Sequence, residues 1–184
     1  MNEQADLILM ETEEKMEKSL HAMQHDFSSI RTGRANPALL DSIMVEYYGV
    51  DSPIKQIASI SVPEGNQLYI KPFDRSVLKK IETAIQASSI GIQPQGDGVG
   101  IRLTLPQLTT ERRKELAKQA DKLAEHGKVA VRNVRREANE HIKKLDLTED
   151  AEHGYIEDVQ SLTDMFIEKI DQATKLKVEE IMAI

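Results

Sequence analysis

Residues 16–37 read MEKSLHAMQHDFSSIRTGRANP, and a junction between two kinds of sequence lies within them. In the first part, apolar residues recur every three or four positions, which is the spacing of one buried helix face: Met16, Leu20, Met23, Phe27 and Ile30. From Gly33 onwards glycine and proline become frequent, and these residues interrupt helices. The stretch therefore predicts a long helix that ends where a second domain begins.

The second domain is marked by the distribution of proline and glycine. All six prolines lie between positions 37 and 106, and seven of the nine glycines lie between Gly33 and Gly100. This window contains four short β-branched or alternating segments that predict strands: Ser42–Tyr48, Ile57–Val62, Leu68–Pro72 and Ile101–Leu105. Between them, Val77, Ile81 and Ile85 have helical spacing. We expect a small α+β unit with one helix packed on a sheet.

Helical spacing returns after the insert. One predicted seam follows the chain through Leu116, Ala120, Leu123, Gly127, Ala130 and Val134, and it continues less regularly through Ala138, His141 or Ile142, and Leu145. Another passes through Tyr155, Val159, Leu162, Phe166, Ile170 and Ala173 and fades towards Ile181. Thr109 or Thr110 is expected to cap the first of these helices. The predicted fold is α+β: residues 1–30 and 107–184 form a discontinuous, elongated, antiparallel three-helix bundle, and residues 31–106 form the inserted domain. Helices of this length predict a rod about 45–50 Å long.

The chain crosses between the two predicted domains twice. Two short connections of this kind predict a hinge, which we assign to Arg31, Thr32, Gly33, Leu105 and Pro106. Arg31 and Arg34 also form a small basic cluster at the first crossing. Cations in the last turn of a helix have an ordinary structural explanation as well, because they complement the helix dipole. Both interpretations stay open.

Composition and motifs argue against catalysis, and no cofactor is expected. Cysteine is absent, which excludes disulfides and thiolate sites. His21 and His25 share a helix face, but the motif His-Ala-Met-Gln-His lacks the Glu of a zinc protease, so no metal site is expected. The glycine-rich segment 96–100 leads into a predicted strand and is interpreted as a hairpin turn instead of a phosphate loop. With no apolar run long enough for a membrane span, we expect a cytoplasmic protein.

Charge is strongly segregated along the chain. The net charge is −7, yet residues 111–144 hold eleven Lys or Arg against six Asp or Glu. Residues 145–184 have the opposite balance, with three lysines against eleven acidic residues. Because like charges repel within a basic patch, a polyanionic partner is the first explanation to test.

The basic residues of the second long helix form a stripe. Lys128, Arg132, Arg135 and Asn139 follow one helical row, and Arg136 lies beside Arg132. Arg112 lies near the helix start, where a cation opposes the helix dipole. An ordinary solvated face with Glu pairs is the competing explanation. The predominance of arginine favours phosphate binding, because the guanidinium group can bind phosphate oxygens in a bidentate manner.

Several longer motifs are similar to those of one known family. Arg31-Thr-Gly-Arg-Ala-Asn-Pro, Val45-Glu-Tyr-Tyr-Gly, Phe73-Asp-Arg-Ser, Leu108-Thr-Thr-Glu-Arg-Arg-Lys and Val129-Ala-Val-Arg-Asn-Val-Arg-Arg-Glu-Ala-Asn139 resemble the bacterial ribosome recycling factor family. The resemblance covers both predicted domains. It implies an L-shaped, tRNA-sized molecule in which a three-helix bundle carries a small β/α/β domain on a flexible connection.

The resemblance also implies a function and site residues. The family binds the 70S ribosome after termination. With elongation factor G and GTP hydrolysed by that partner, it splits the subunits to release mRNA and deacylated tRNA. Its contacts to large-subunit rRNA correspond here to Arg132, Arg135, Arg136, Lys128 and Arg112, and Arg31 and Gly33 match a motif near its hinge. A monomer is expected. The alternatives are a general RNA-binding helical module and a metal-dependent enzyme using His21 and His25.

Overall fold

The structure is a computed structural model that describes residues 2–183, and these residues divide into two compact units. The first unit comprises the described chain up to Ile30 together with Lys114–Met182. The second comprises mainly Arg31–Arg113. The division falls within a long helix, after the predicted boundary at residue 107. The mixed helix and sheet content confirms the predicted α+β class.

Within residues 2–183, the first unit is built from three long helices: α1 (Glu3–Ser28), α4 (Thr110–Lys143) and α5 (Glu149–Met182). Polar side chains cap their N-termini, as such residues do where the first backbone N–H groups lack helical partners. Asn2 Oδ1 accepts from the Ala5 N–H at 3.1 Å, and Thr148 Oγ1 accepts from the Ala151 N–H at 3.3 Å. The predicted cap of α4 is confirmed at Thr109, whose Oγ1 accepts from the Arg112 N–H at 3.1 Å.

Contacts between these helices give their directions. Tyr155 Oη, near the start of α5, donates to Asp6 Oδ1 near the start of α1, so these two helices run parallel. Lys15 pairs with Glu137, and Met23, later in α1, lies against Gly127, earlier in α4. Arg135 contacts Gln160 and Lys128 contacts Asp171, so α4 runs antiparallel to both helices. The core contains the whole predicted seam of α1, which is confirmed.

Gly127 explains how closely the three helices approach at mid-length. A Cβ atom at this position would lie 3.2 Å from Met23 Sδ and 3.5 Å from Ile170 Cδ1, so side chains from α1 and α5 both press against the α4 backbone. Glycine costs about 1 kcal/mol relative to alanine inside a helix. Here the close packing of both neighbours offsets that cost.

The predicted seams of α4 and α5 are correct in part. Leu116, Ala120 and Gly127 are buried as predicted, whereas Leu123, Ala130 and Val134 are half-buried. Ala138 and Ile142, on the predicted continuation of the seam, are buried too. Ala124 and Val131 are buried as well, because α4 packs against two neighbours and therefore buries a wider arc than one row. Along α5, Lys177 is unexpectedly buried, and this burial lowers the pKa of its ammonium group although Glu180 opposes the shift.

The second unit contains, among its described residues, two antiparallel sheets. β1 (Met44–Tyr47) pairs with β2 (Val50–Pro53). The larger sheet has the strand order β3-β4-β6-β5, from β3 (Ala58–Ser61), β4 (Gln67–Pro72), β5 (Gln95–Gly96) and β6 (Ile101–Thr104). A short helix α2 (Ile54–Ile57) connects the sheets, and α3 (Leu78–Ala87) follows β4. Ile81 and Ile85 of α3 pack with sheet residues such as Leu68 and Leu103 in one apolar core.

All four predicted strands and the predicted helix of this unit are present with shifted ends. The glycine-rich segment forms the predicted hairpin, since β5 pairs with β6 and the Asp97 N–H donates to Gly100 O at 3.1 Å. The sequence did not indicate β2, α2 or β5. β2 contains Asp, Ser and Pro, which are poor strand formers, and its pairing with β1 is what places it in a strand.

Candidate nucleic-acid interface

The basic residues of α4 are distributed over two sides of the helix. One side faces α5, and the other faces away from both α1 and α5. Because successive residues of a helix differ by about 100° in direction, Lys128 and Arg135 point in nearly the same direction, whereas Arg132 and Arg136 point further away from α5. The predicted stripe therefore divides into two groups with different surroundings.

Lys128 and Arg135 form the group that faces α5. The Lys128 ammonium lies 2.5 Å from Asp171 Oδ1 and 3.8 Å from Glu125 Oε1, and only 18% of its side chain is exposed. Arg135 donates to Gln160 Oε1 at 3.1 Å, and Gln160 in turn donates to Asp164 Oδ1 at 2.9 Å. These two cations are therefore partly used to hold α4 against α5.

Two buried polar atoms accompany this group. Arg135 Nε and Asn139 Oδ1 are buried and have no hydrogen-bond partner among residues 2–183. A buried polar atom without a partner costs free energy. Both residues lie on the helical row that was predicted to bind phosphate, next to the exposed arginines.

Arg132 and Arg136 form the second group, and both are exposed. Neither forms an ion pair or side-chain hydrogen bond with another described residue. The same side of α4 presents further residues at intervals of seven, which stay on one side of a helix: Lys122, Val129, Arg136 and Lys143. We call Lys122, Val129, Arg132, Arg136 and Lys143 the outer face. Val129 is half exposed at its centre, so the face combines cations with apolar contact area.

Lys122 and Lys143 were not among the residues predicted for this site. The seven-residue interval that joins them to Arg136 was available in the sequence, but it was hidden by the alternative row through Lys128. The two rows can be distinguished only when the position of α5 is known. Arg112 lies apart from the outer face, in the first turn of α4 and in the second unit, where it interacts within the chain.

The residues of the predicted hinge lie in the second unit and differ in environment. Arg31 Nη2 donates to Pro106 O at 3.4 Å, so the two crossings of the chain are in contact. Thr32 is buried, and its Oγ1 accepts from the Arg34 N–H at 3.2 Å. Leu105 is 1% exposed and belongs to the apolar core, where its N–H donates to Asn66 O at 2.8 Å. A Cβ at Gly33 would meet no atom within 4 Å.

Both histidines of the predicted pair, His21 and His25, are exposed on α1. His21 Nε2 lies 3.8 Å from Glu17 Oε1, and both side chains are mostly exposed. Residues 2–183 contain no group of three or more His, Cys, Asp or Glu side chains arranged to hold a metal ion. Among the same residues, no helix combines the length and apolar character needed to cross a membrane.

Comparison with known proteins identifies the family. A sequence model described as ribosome recycling factor matches residues 23–182. The chain belongs to the ribosome recycling factor family. It is 64% identical to the ribosome-recycling factor of Acholeplasma laidlawii over the full length of both chains. It is also 53% identical to that of Thermosynechococcus vestitus, over 96% of this chain and 99% of the relative.

Solved structures of ribosome recycling factors share the fold. A solution structure of the ribosome recycling factor superimposes with a TM-score of 0.81 at 41% identity, covering all of both chains. A second match has a TM-score of 0.69 at 41% identity and covers 98% of this chain and all of the other. It comes from models for the T. thermophilus ribosome recycling factor and the E. coli elongation factor G bound to the E. coli post-termination complex. The resemblance seen in the sequence motifs is therefore confirmed.

Proposed function

We propose that this chain is a cytoplasmic, monomeric ribosome recycling factor that binds the post-termination 70S ribosome. Together with elongation factor G it separates the subunits, so that mRNA and deacylated tRNA are released. GTP is hydrolysed by elongation factor G, and this chain catalyses no covalent reaction. Family membership and the related chain in a post-termination complex support the proposal.

The contact with rRNA is assigned to the outer face of α4. The observation that carries this assignment is the exposure of Arg132 and Arg136 without any partner among the described residues. Their guanidinium groups keep all donors available for phosphate oxygens. Lys128 and Arg135 adjoin this face and add positive charge, but their contacts with α5 limit their reach. Arg112 is kept as a more distant basic contact. Docking then depends on charge and shape, with phosphates as the main targets.

Replacing one arginine of the outer face tests this assignment. Arg132→Ala is expected to weaken binding to large subunits by about 1–3 kcal/mol, because a charge-assisted contact is lost. The slope of the logarithm of the binding constant against the logarithm of the salt concentration should also decrease by about one, because one fewer counterion is released. Fluorescence titration of the labelled protein with large subunits at several salt concentrations measures both quantities.

Lys175→Ala provides a matched control, because it removes one exposed cation from α5. Its affinity should equal that of the parent. An Arg132→Ala protein that binds as tightly as the parent at every salt concentration would contradict the RNA contact. Equal affinity for unrelated structured RNA would instead favour the alternative, a general RNA-binding module.

A second part of the proposal concerns motion at the two crossings. The space around Gly33 would admit a larger side chain, so close packing does not explain the glycine. We infer that the backbone freedom of Gly33 serves a conformational change. Gly33→Ala should fold normally and bind ribosomes, yet slow subunit dissociation in an assay with elongation factor G and GTP. Gly65→Ala is the control, because a Cβ there also meets no atom within 4 Å. Equal dissociation rates for both variants would refute this role of Gly33.

A further inference from the structure

A second candidate surface lies on the bundle between α1 and α5. It is an open groove of about 370 Å³ that is lined by both apolar side chains and carboxylates. The apolar residues are Leu9 and Met10 of α1 and Leu162 and Met165 of α5, and the carboxylates are Glu13 and Asp158. None of these residues was part of the predicted site.

The two methionine side chains of the groove are exposed, whereas Leu9 and Leu162 are half-buried. Met10 is 69% exposed and Met165 is 36% exposed, and Leu7, one turn before Met10, is also exposed. Contiguous exposed apolar surface on a monomer often marks a site of association. Methionine side chains are flexible and adapt to different partners, which suits such a site.

The negative charge of the groove restricts the chemistry of a partner. Neither Glu13 nor Asp158 forms an ion pair with another residue of the described chain, and no Lys or Arg is among the described residues that line the groove. Residues 1–30 hold only two lysines against seven acidic residues, so α1 as a whole is acidic. A nucleic acid would be repelled here. The complementary partner carries Lys or Arg together with apolar side chains.

Gly154 lies on the side of α5 that lines the groove, and its small size would let a partner approach the α5 backbone closely. It precedes Asp158 by one helical turn and Ser161 by two, so the three residues share one side of the helix. A Cβ at Gly154 would meet no atom within 4 Å, so the packing of the bundle does not require glycine in this helix interior. A small residue leaves room for another helix to lie near the α5 backbone.

We propose that the α1/α5 groove docks a Lys/Arg-rich amphipathic helix of a protein partner. The apolar side chains of that helix pack between Met10 and Met165, and its cations pair with Glu13 and Asp158. This is the helix-in-groove mode of recognition, in which apolar anchors give affinity and charges set specificity. The inference does not depend on the RNA contact of α4.

A designed peptide provides the probe. It is a helix of about 18 residues built from leucine and lysine, with leucines at the two apolar heptad positions. A second peptide has glutamate in place of every lysine. Full-length protein with ¹³C-labelled methionine methyl groups is titrated with each peptide, and methyl signals are recorded by NMR. The basic peptide should shift the signals of Met10 and Met165, and the signal of Met44, exposed in the other unit, should stay unchanged.

Charge reversal distinguishes specific binding in the groove from nonspecific electrostatic attraction to the protein. The double variant Glu13→Lys with Asp158→Lys should weaken binding of the basic peptide about tenfold. The control double variant, Glu140→Lys with Glu179→Lys, changes the net charge equally at exposed positions outside the groove and should keep the affinity of the parent. Circular dichroism verifies that both variants keep their helix content.

Several outcomes would overturn the proposal. Equal weakening by both double variants would show attraction to net charge alone. Binding of the acidic peptide with equal affinity would remove the role of the carboxylates. Shifts of Met10 and Met165 that grow with protein concentration in the absence of peptide would assign the groove to a second copy of this chain.

Discussion

The bundle and the inserted unit both bury apolar side chains, but the insert also depends on polar contacts at its turns. In the bundle, long helices bury apolar rows, and Gly127 lets α1 and α5 approach α4 closely. In the insert, short strands share an apolar core, and polar side chains also hold the turn between β5 and β6. Asp97 accepts the Gly100 N–H at 2.7 Å and the Val99 N–H at 2.9 Å, and Tyr69 Oη donates to it at 3.0 Å. Single substitutions at turns should therefore affect the insert more than the bundle.

The largest effect is expected at Gly100. A Cβ there would lie 2.6 Å from two atoms of the Tyr69 phenol and 2.8 Å from Ile70 O, so the strands must move apart to admit it. Gly100→Ala should destabilise the insert by about 1–3 kcal/mol, the usual cost of overpacking. Hydrogen exchange should speed up for amides of β4 and β6 and stay unchanged for those of α5.

Gly65→Ala is the matched control for this change, because it adds a methyl group to the same unit without a clash. It should leave exchange in β4 and β6 close to that of the parent. Faster exchange in α5 after Gly100→Ala would show that the two units unfold together, and the comparison between them would then fail.

A smaller effect is expected from acid. The N–H groups of Gly100 and Val99, and then the Tyr69 hydroxyl, lower the pKa of Asp97 below its ordinary value of 3.8. Because the folded pKa is below the unfolded one, Asp97 contributes stability above pH 3.8 that is lost as the pH falls through the folded pKa. Thermal unfolding between pH 6 and 2 should show this loss for the insert.

Asp97→Asn should lower stability at neutral pH and flatten that acid dependence. Asp51→Asn, at an exposed position of the same unit, controls for the removal of one carboxylate. An Asp97→Asn protein with the same acid dependence as the parent would contradict the role of the turn.

The smallest effect, and one of opposite sign, is expected in the bundle at Gly154. Since a Cβ there meets open space, Gly154→Ala should stabilise α5 by about 0.5–1 kcal/mol through helix propensity alone. Denaturant unfolding followed by circular dichroism measures the change. A loss of stability would show a constraint on this position within the bundle.

The sequence predicted the features that depend on local spacing. The α1 seam and the hairpin at Gly96–Gly100 are confirmed, because periodicity and turn residues act over a few positions. The two groups of cations on α4 could not be separated in this way. Which row faces α5 depends on contacts such as Lys128 with Asp171, forty-three positions apart along the chain.

The burial of Lys177 was unpredictable for a related reason. Lysine is rarely buried, and its long aliphatic stem allows packing that composition does not indicate.

The groove between α1 and α5 was also missed. Its residues come from two helices at opposite ends of the sequence, and no short motif joins them.

The place of the insert between α1 and α4 has a consequence for the newborn polypeptide. During translation, the strands of residues 44–104 are all synthesised before α5. The apolar face of α1, in contrast, is fully covered only after α5 has left the exit tunnel. The insert is therefore expected to fold first, while the apolar face of α1 is still exposed to solvent. The apolar face of α1 would therefore need protection close to the translating ribosome until α5 has emerged.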